Sequence, residues 1–172
     1  MKKAWFLDRD GTIIEDKHYL SNPDDIVLLP GTVEALRMAQ NDGFLLIVVT
    51  NQSGIARGYF TEADADSVDR RLYEMLKEQG IVISASYRCP HLPDGIPPYN
   101  IRCSCRKPET GLFRTAIQDF ELEPGLCIAC GDKPRDTERL KELGVPEKHC
   151  GIIDGFHFKD LLEFYTSVIK EI

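Results

Sequence analysis

Four apolar runs, Ala4 to Leu7, Leu45 to Val49, Leu126 to Ala129 and Cys150 to Ile153, lack strict polar alternation and end abruptly in polar residues. Strands covered on both faces read this way, because alternation disappears once both sides are buried. A fifth run, Ile83 to Tyr87, adds another strand. Helical patterning fills the intervals. Thr32 to Asn41 repeats Val33, Leu36 and Ala39 and stops at Gly43, while Thr61 to Gln79 opens on a capping-box-like Thr61-Glu62-Ala63-Asp64 and aligns Val68, Leu72, Met75 and Leu76 before Gly80. Gly111 to Phe120, Asp136 to Leu143 and His157 to Ile169 read as further helices. The alternation predicts an α/β fold, a doubly wound, mostly parallel sheet with right-handed crossovers.

With 172 residues and no repeat, low-complexity segment or linker, residues 1–172 are expected to form a single domain. A formal charge of -7 argues against general affinity for nucleic acid or anionic lipid. No apolar run approaches the ~18 residues a membrane span needs, and Met1 to Ala4 leads into a strand without a signal-peptide core. The expectation is a cytoplasmic monomer that binds neither nucleic acid nor membrane. In that compartment six cysteines read as reduced thiols or metal ligands.

In a sheet of this kind the residues after each strand converge on one edge. Asp8 and Asp10 follow the first run, Thr50-Asn51-Gln52-Ser53 the second, and Gly131-Asp132-Lys133 the fourth; Arg106-Lys107-Pro108 joins them. Crowded carboxylates at a strand end call for a cation such as Mg²⁺, and the hydroxyl, turn amides and lysine suit an anion. That set handles a phosphoryl group. Asp136, four residues after Asp132, would share its face on a helix and is expected to orient the site from behind.

Cys89-Pro90-His91 and Cys103-Ser104-Cys105 form two pairs, each with one intervening residue. In extended chain residues i and i+2 project to one side, so each pair can act as a pincer. Three thiolates and an imidazole suit tetrahedral Zn²⁺ with no open position, a structural site at a loop of about residues 88–107. Coincidental placement, or a disulfide through Cys89, is the alternative. Cys105 would set the direction of Arg106-Lys107. Cys127, Cys130 and Cys150 read as buried small residues, and His18, His149 and His157 have no identifiable partner.

These motifs, Asp8-Arg9-Asp10-Gly11-Thr12, Thr50-Asn51, Lys107 and Gly131-Asp132-Lys133, resemble those of the haloacid dehalogenase superfamily of phosphatases. The resemblance implies that Asp8 is a nucleophile forming an aspartyl-phosphate and that Asp10 is the general acid and base. It implies Mg²⁺ held by Asp8, Asp132 and the Asp10 carbonyl, with Thr50 and Lys107 gripping the transferring group. The run Thr50 to Gly58, the Cys/His pairs and Cys105-Arg106-Lys107-Pro108 are closer to the D-glycero-D-manno-heptose 1,7-bisphosphate phosphatases. By that resemblance Asp16 to Tyr19, Asn51, Gln52, Ser53, Arg106 and Lys133 contact a small phosphorylated sugar, and the 7-phosphate is removed. Histidinol phosphate or another small ester is the alternative substrate, and a non-catalytic sensor of a phosphorylated metabolite the alternative class. The intervals between motifs leave no room for a cap domain, so the site is expected to be open.

Overall fold

The computed structural model describes residues Met1–Ile172. Five parallel strands, β1 (Lys3–Leu7), β2 (Phe44–Asn51), β3 (Ile83–Cys89), β4 (Ile128–Gly131) and β5 (Cys150–Ile152), form one sheet in the order β3-β2-β1-β4-β5. The chain steps outward from β1 to one side and then to the other. The switch point between β1 and β4 therefore opens at the carboxyl end of β1, where Asp8 lies.

Strand residues alternate between two apolar cores because successive side chains point to opposite faces. Trp5, Leu7, Leu46, Val48, Ile128 and Cys130 face α1 (Thr32–Asn41), α2 (Glu62–Glu78) and α4 (Leu161–Val168). Ala4, Phe6, Ile47, Val49, Cys127 and Ala129 face α3 (Gly111–Phe120). Trp5 is fully buried, stacks on Tyr165 with ring centroids 5.2 Å apart and donates its indole N–H to Cys130 Sγ at 3.3 Å. Burying a large apolar side chain of this kind contributes roughly 1.5–3 kcal/mol.

The helix before β3 begins as its sequence requires. Thr61 Oγ1 accepts the Asp64 N–H at 3.1 Å, and the Asp64 carboxylate accepts the Thr61 N–H at 2.7 Å, completing a capping box. Elsewhere the expected boundaries need correction. Asp136 to Leu143 is not an α-helix but two 3₁₀ turns, Pro134–Asp136 and Leu140–Leu143. Leu126 belongs to another such turn, and Ile153 lies outside β5 in an isolated bridge to Phe158. The last helix starts at Leu161 rather than His157, because Asp160 caps it by accepting the Glu163 N–H at 2.9 Å. No helix is long and apolar enough to cross a membrane.

Candidate active site

Asp8 leaves β1 with its N–H donated to Cys130 O at 3.1 Å, which places its side chain over the gap between β1 and β4. The next turn brings Asp10 beside it, and Gly11 makes that turn possible. Gly11 has φ +78°, and a Cβ there would sit 2.7 Å from Asp132 Oδ2. Asp8, Asp132 and Asp136 consequently offer carboxylate oxygens within 4.8 Å of one another. Burial, reinforced by the Asp8 charge, pushes the Asp132 carboxyl up to about 6. The same two causes, in the same order, raise Asp136. Crowded hard oxygen donors of this kind fit a divalent cation, which relieves the repulsion.

Lys107 supplies the protein's own compensating charge. Its side chain is 1% exposed, and Nζ donates to Asp8 Oδ1 at 2.9 Å, Asp136 Oδ1 at 2.8 Å and Val49 O at 2.6 Å. Burial works against this ammonium, but the two carboxylates prevail and hold its pKa above the ordinary value. Asn51 fixes the lysine's backbone from both sides, accepting the Lys107 N–H at 2.9 Å and donating to Lys107 O at 3.0 Å. Asp136 reaches Lys107 from a 3₁₀ turn, not from the helix the four-residue spacing suggested, and its buried side chain also accepts the Lys133 N–H at 2.9 Å.

Asp10 is held by Arg9 and Gln52. Gln52 Nε2 donates to Asp10 Oδ2 at 2.8 Å and to Thr50 Oγ1 at 2.9 Å, so Thr50, buried at the end of β2, stands behind Gln52. Burial raises the Asp10 carboxyl, with Arg9 opposing and Asp8 adding to the rise.

Asp8, Asp10, Asp16, Tyr19, Asn51, Gln52, Ser53, Arg106, Lys107, Asp132 and Lys133 line one cavity of about 270 Å³. Thr50 is not among its lining residues. His18, within the Asp16 to Tyr19 segment expected to meet the substrate, also lines the cavity, whereas Lys17 of that segment does not; Arg57 and Arg135 line it too, without a role expected from the sequence. His18 and Tyr19 both take left-handed backbone, φ 52° and 70°, with the His18 N–H on Asp16 Oδ1 at 2.9 Å. The Arg57 guanidinium lies 5.7 Å from the Tyr19 ring centroid. Arg9 was also overlooked, although an arginine wedged between two motif aspartates at a strand end was a readable signal.

Beside the cavity, Cys89, His91, Cys103 and Cys105 bring their ligand atoms within 4.8 Å of one another. The three sulfurs lie 3.0–3.6 Å apart and His91 Nδ1 is 3.2 Å from Cys105 Sγ. Bonds of about 2.3 Å to a single tetrahedral ion put ligand sulfurs about 3.7 Å apart, so the cluster fits a metal with little adjustment. Cys127, which lies just before β4 rather than on it, and Cys130 are buried on opposite faces of the sheet, but Cys150 is only half-buried. His157 does have a partner, Asp154 Oδ2 at 2.8 Å, and buried His149 places Nδ1 3.2 Å from Cys127 O.

The family model described as polynucleotide kinase 3 phosphatase matches residues 3–141. A Thermoplasma volcanium protein is 45% identical over 145 residues, spanning 84% of this chain and 95% of its own length. The D-glycero-beta-D-manno-heptose-1,7-bisphosphate 7-phosphatase of Haemophilus ducreyi is 41% identical, over 86% of this chain and 81% of the relative. Among solved structures, a D,D-heptose 1,7-bisphosphate phosphatase from B. bronchiseptica, complexed with magnesium and phosphate, superposes with a TM-score of 0.77 at 27% identity, covering 100% of both chains. The chain therefore belongs to the polynucleotide kinase 3 phosphatase family of haloacid dehalogenase-like phosphatases, within the branch whose curated members are named heptose-1,7-bisphosphate 7-phosphatases.

Proposed function

We propose that this phosphatase removes the 7-phosphate of a D-glycero-D-manno-heptose 1,7-bisphosphate, with Asp8 as nucleophile and Asp10 as general acid and base. The observation that carries this reading is the arrangement around Asp8. One of its oxygens is tied to buried Lys107 while a second carboxylate, Asp10, sits two residues away on the same turn, bonded to Gln52. A protein that only bound a phosphate would gain nothing from two such carboxylates beside the anion.

In the first displacement an Asp8 carboxylate oxygen bonds to phosphorus as the phosphorus–ester oxygen bond breaks. The Asp10 carboxyl gives its proton to the departing oxygen. Asp10, now a carboxylate, takes a proton from water, which attacks phosphorus, breaks its bond to Asp8 and releases inorganic phosphate. Asp8, Asp132 and the Asp10 main-chain carbonyl would hold Mg²⁺, which when bound neutralises charge where a dianionic phosphate must approach a carboxylate. Lys107 is placed to share the charge of the transferring oxygens, while Thr50, outside the cavity wall, accepts from Gln52 and so supports Asp10 rather than the transferring group. Arg106, Lys133 and Arg57 line the remainder of the cavity and suit the second phosphate of a bisphosphate. A net charge of -7 disfavours a polynucleotide in that place. The Cys/His cluster would hold Zn²⁺ as a structural ion.

Asp8→Asn tests the assignment. Phosphate release from the heptose bisphosphate should fall by at least about a thousandfold while the thermal melt is retained. Retained turnover, or failure of beryllofluoride to trap the wild-type protein at Asp8, would refute it. Parallel assays on histidinol phosphate and nucleotides decide the substrate class.

A further inference from the structure

Beneath the site lies a row of alternating charges that the proposed mechanism does not use. Arg9 is 1% exposed, and its guanidinium divides between two carboxylates. Nε and Nη2 approach Asp10 Oδ2 at 3.1 and 3.0 Å, and Nη1 donates to Asp69 Oδ1 at 2.8 Å. Asp69 Oδ2 accepts from Arg88 Nη1 at 3.2 Å, and Arg88 Nη2 donates to Asp66 Oδ1 at 2.6 Å. The row runs from the β1 turn through α2 to the end of β3.

Stability alone does not account for it, because apolar side chains of similar volume would fill this space with no desolvation penalty. Its geometry has a directional result. Asp10 Oδ2 is saturated by Arg9 and by Gln52 at 2.8 Å, whereas Oδ1 has only Arg9 Nη2 at 3.3 Å. Oδ1 is thus the oxygen left to carry a proton toward the cavity.

We propose that Arg9, anchored by Asp69, is a positioning residue that fixes the Asp10 carboxyl so that Oδ1 faces the leaving oxygen. The inference rests on the reading of Asp10 as general acid. As the phosphorus–oxygen bond breaks and its electrons move to the departing oxygen, the Oδ1 proton passes to that oxygen. A carboxyl turned away by a loosened Arg9 cannot make that transfer on time.

Leaving-group dependence reads this directly, since 4-nitrophenolate departs without a proton and an alkoxide does not. Replacing Arg9 strips a buried cation from two carboxylates and threatens the fold, so the variants are Asp69→Asn and Asp69→Ala, with thermal melts confirming folded protein. In single turnover, Asp69→Asn should slow an alkyl phosphate about tenfold to a hundredfold but 4-nitrophenyl phosphate by no more than about threefold. Asp69→Ala, which removes both acceptor oxygens, should show the larger selective loss. Equal losses on both esters, or no loss on either, overturn the proposal. Asp10→Asn is the control. If it too fails to discriminate between the esters, the general-acid reading falls and this inference with it; if it discriminates and the Asp69 variants do not, the Arg9 anchor alone is refuted.

Discussion

Lys107 carries its charge at a point where three segments of the chain meet, and none of them alone could keep it there. Its ammonium is surrounded by Asp8, Asp136 and the Val49 carbonyl, and its backbone is clamped by the Asn51 amide. Lys107→Met keeps the volume and deletes the charge. Leaving buried carboxylates without their cation costs about 3–5 kcal/mol, so the variant should melt well below the wild-type protein. Mg²⁺ held on Asp8 and Asp132 would offset part of the same negative charge and should restore more of the melting temperature to the variant than it adds to the wild type. A calorimetric melt with and without the ion checks both parts, and an unchanged melting temperature would contradict the placement of this lysine. Asp136 gains its importance from the same geometry: it orients the lysine that faces Asp8.

The segment between β5 and α4 shows how a turn can be held by one carboxylate. Asp154 Oδ1 accepts the N–H groups of Phe156 at 2.9 Å and His157 at 2.7 Å, and Oδ2 meets the His157 ring at 2.8 Å. Those bonds, the His157 backbone first, hold the Asp154 carboxyl down at about 2. A folded-state value below the ordinary carboxylate value stabilises above the latter and is lost as pH falls through the former. The turn should therefore keep its amide protection at Phe156 and His157 down to pH about 4 and lose it between about 4 and 2. Asp154→Ala should lack that protection at every pH, and hydrogen exchange at these amides is the measurement. This region also marks where sequence reading fell short. The strands, α1, α2 and α3 were legible because two-sided burial and helical periodicity repeat over enough residues to be recognised. Asp160-Leu161-Leu162-Glu163 carried a capping signal of its own, which moves the start of α4 away from His157. Asp136 to Leu143 buries little beyond Leu140 and the Asp136 carboxylate, so helical spacing there had no apolar face behind it. Asp69 was hidden for a related reason, a charge on the inner face of α2 between Val68 and Leu72 whose partner lies 60 positions away.

At the scale of the molecule, Arg106 and Lys107 reach the cavity from the end of a loop that meets neither large apolar core and packs only Tyr99 on a small cluster of Ile55, Phe60 and Ala65. Residues 90–110 carry no helix or strand, and the loop meets the rest of the rim through a few backbone bonds, among them Ile96 N–H to Ala56 O at 2.7 Å. The Cys/His cluster draws its side chains from both ends of this loop, and Cys105 directly precedes Arg106 and Lys107 in the chain. A metal held there links the end of β3 to the cation that faces Asp8. Its loss should accordingly be felt in catalysis as well as in stability. Cys103→Ser should bring the zinc content from about one ion per chain to near zero. Each kcal/mol lost lowers the melting temperature by about 2–4 °C in a chain of this size, so a fall of several degrees is expected. The variant should also need more substrate for half-maximal rate, because Arg106 loses its bearing on the cavity while Asp8 and Asp10, on the β1 turn, keep theirs. Elemental analysis, a thermal melt and steady-state kinetics on the same preparation separate these effects. Full zinc content in the variant would remove the structural site, and a lowered melt with unaltered kinetics would sever the loop from the phosphate it is placed to meet.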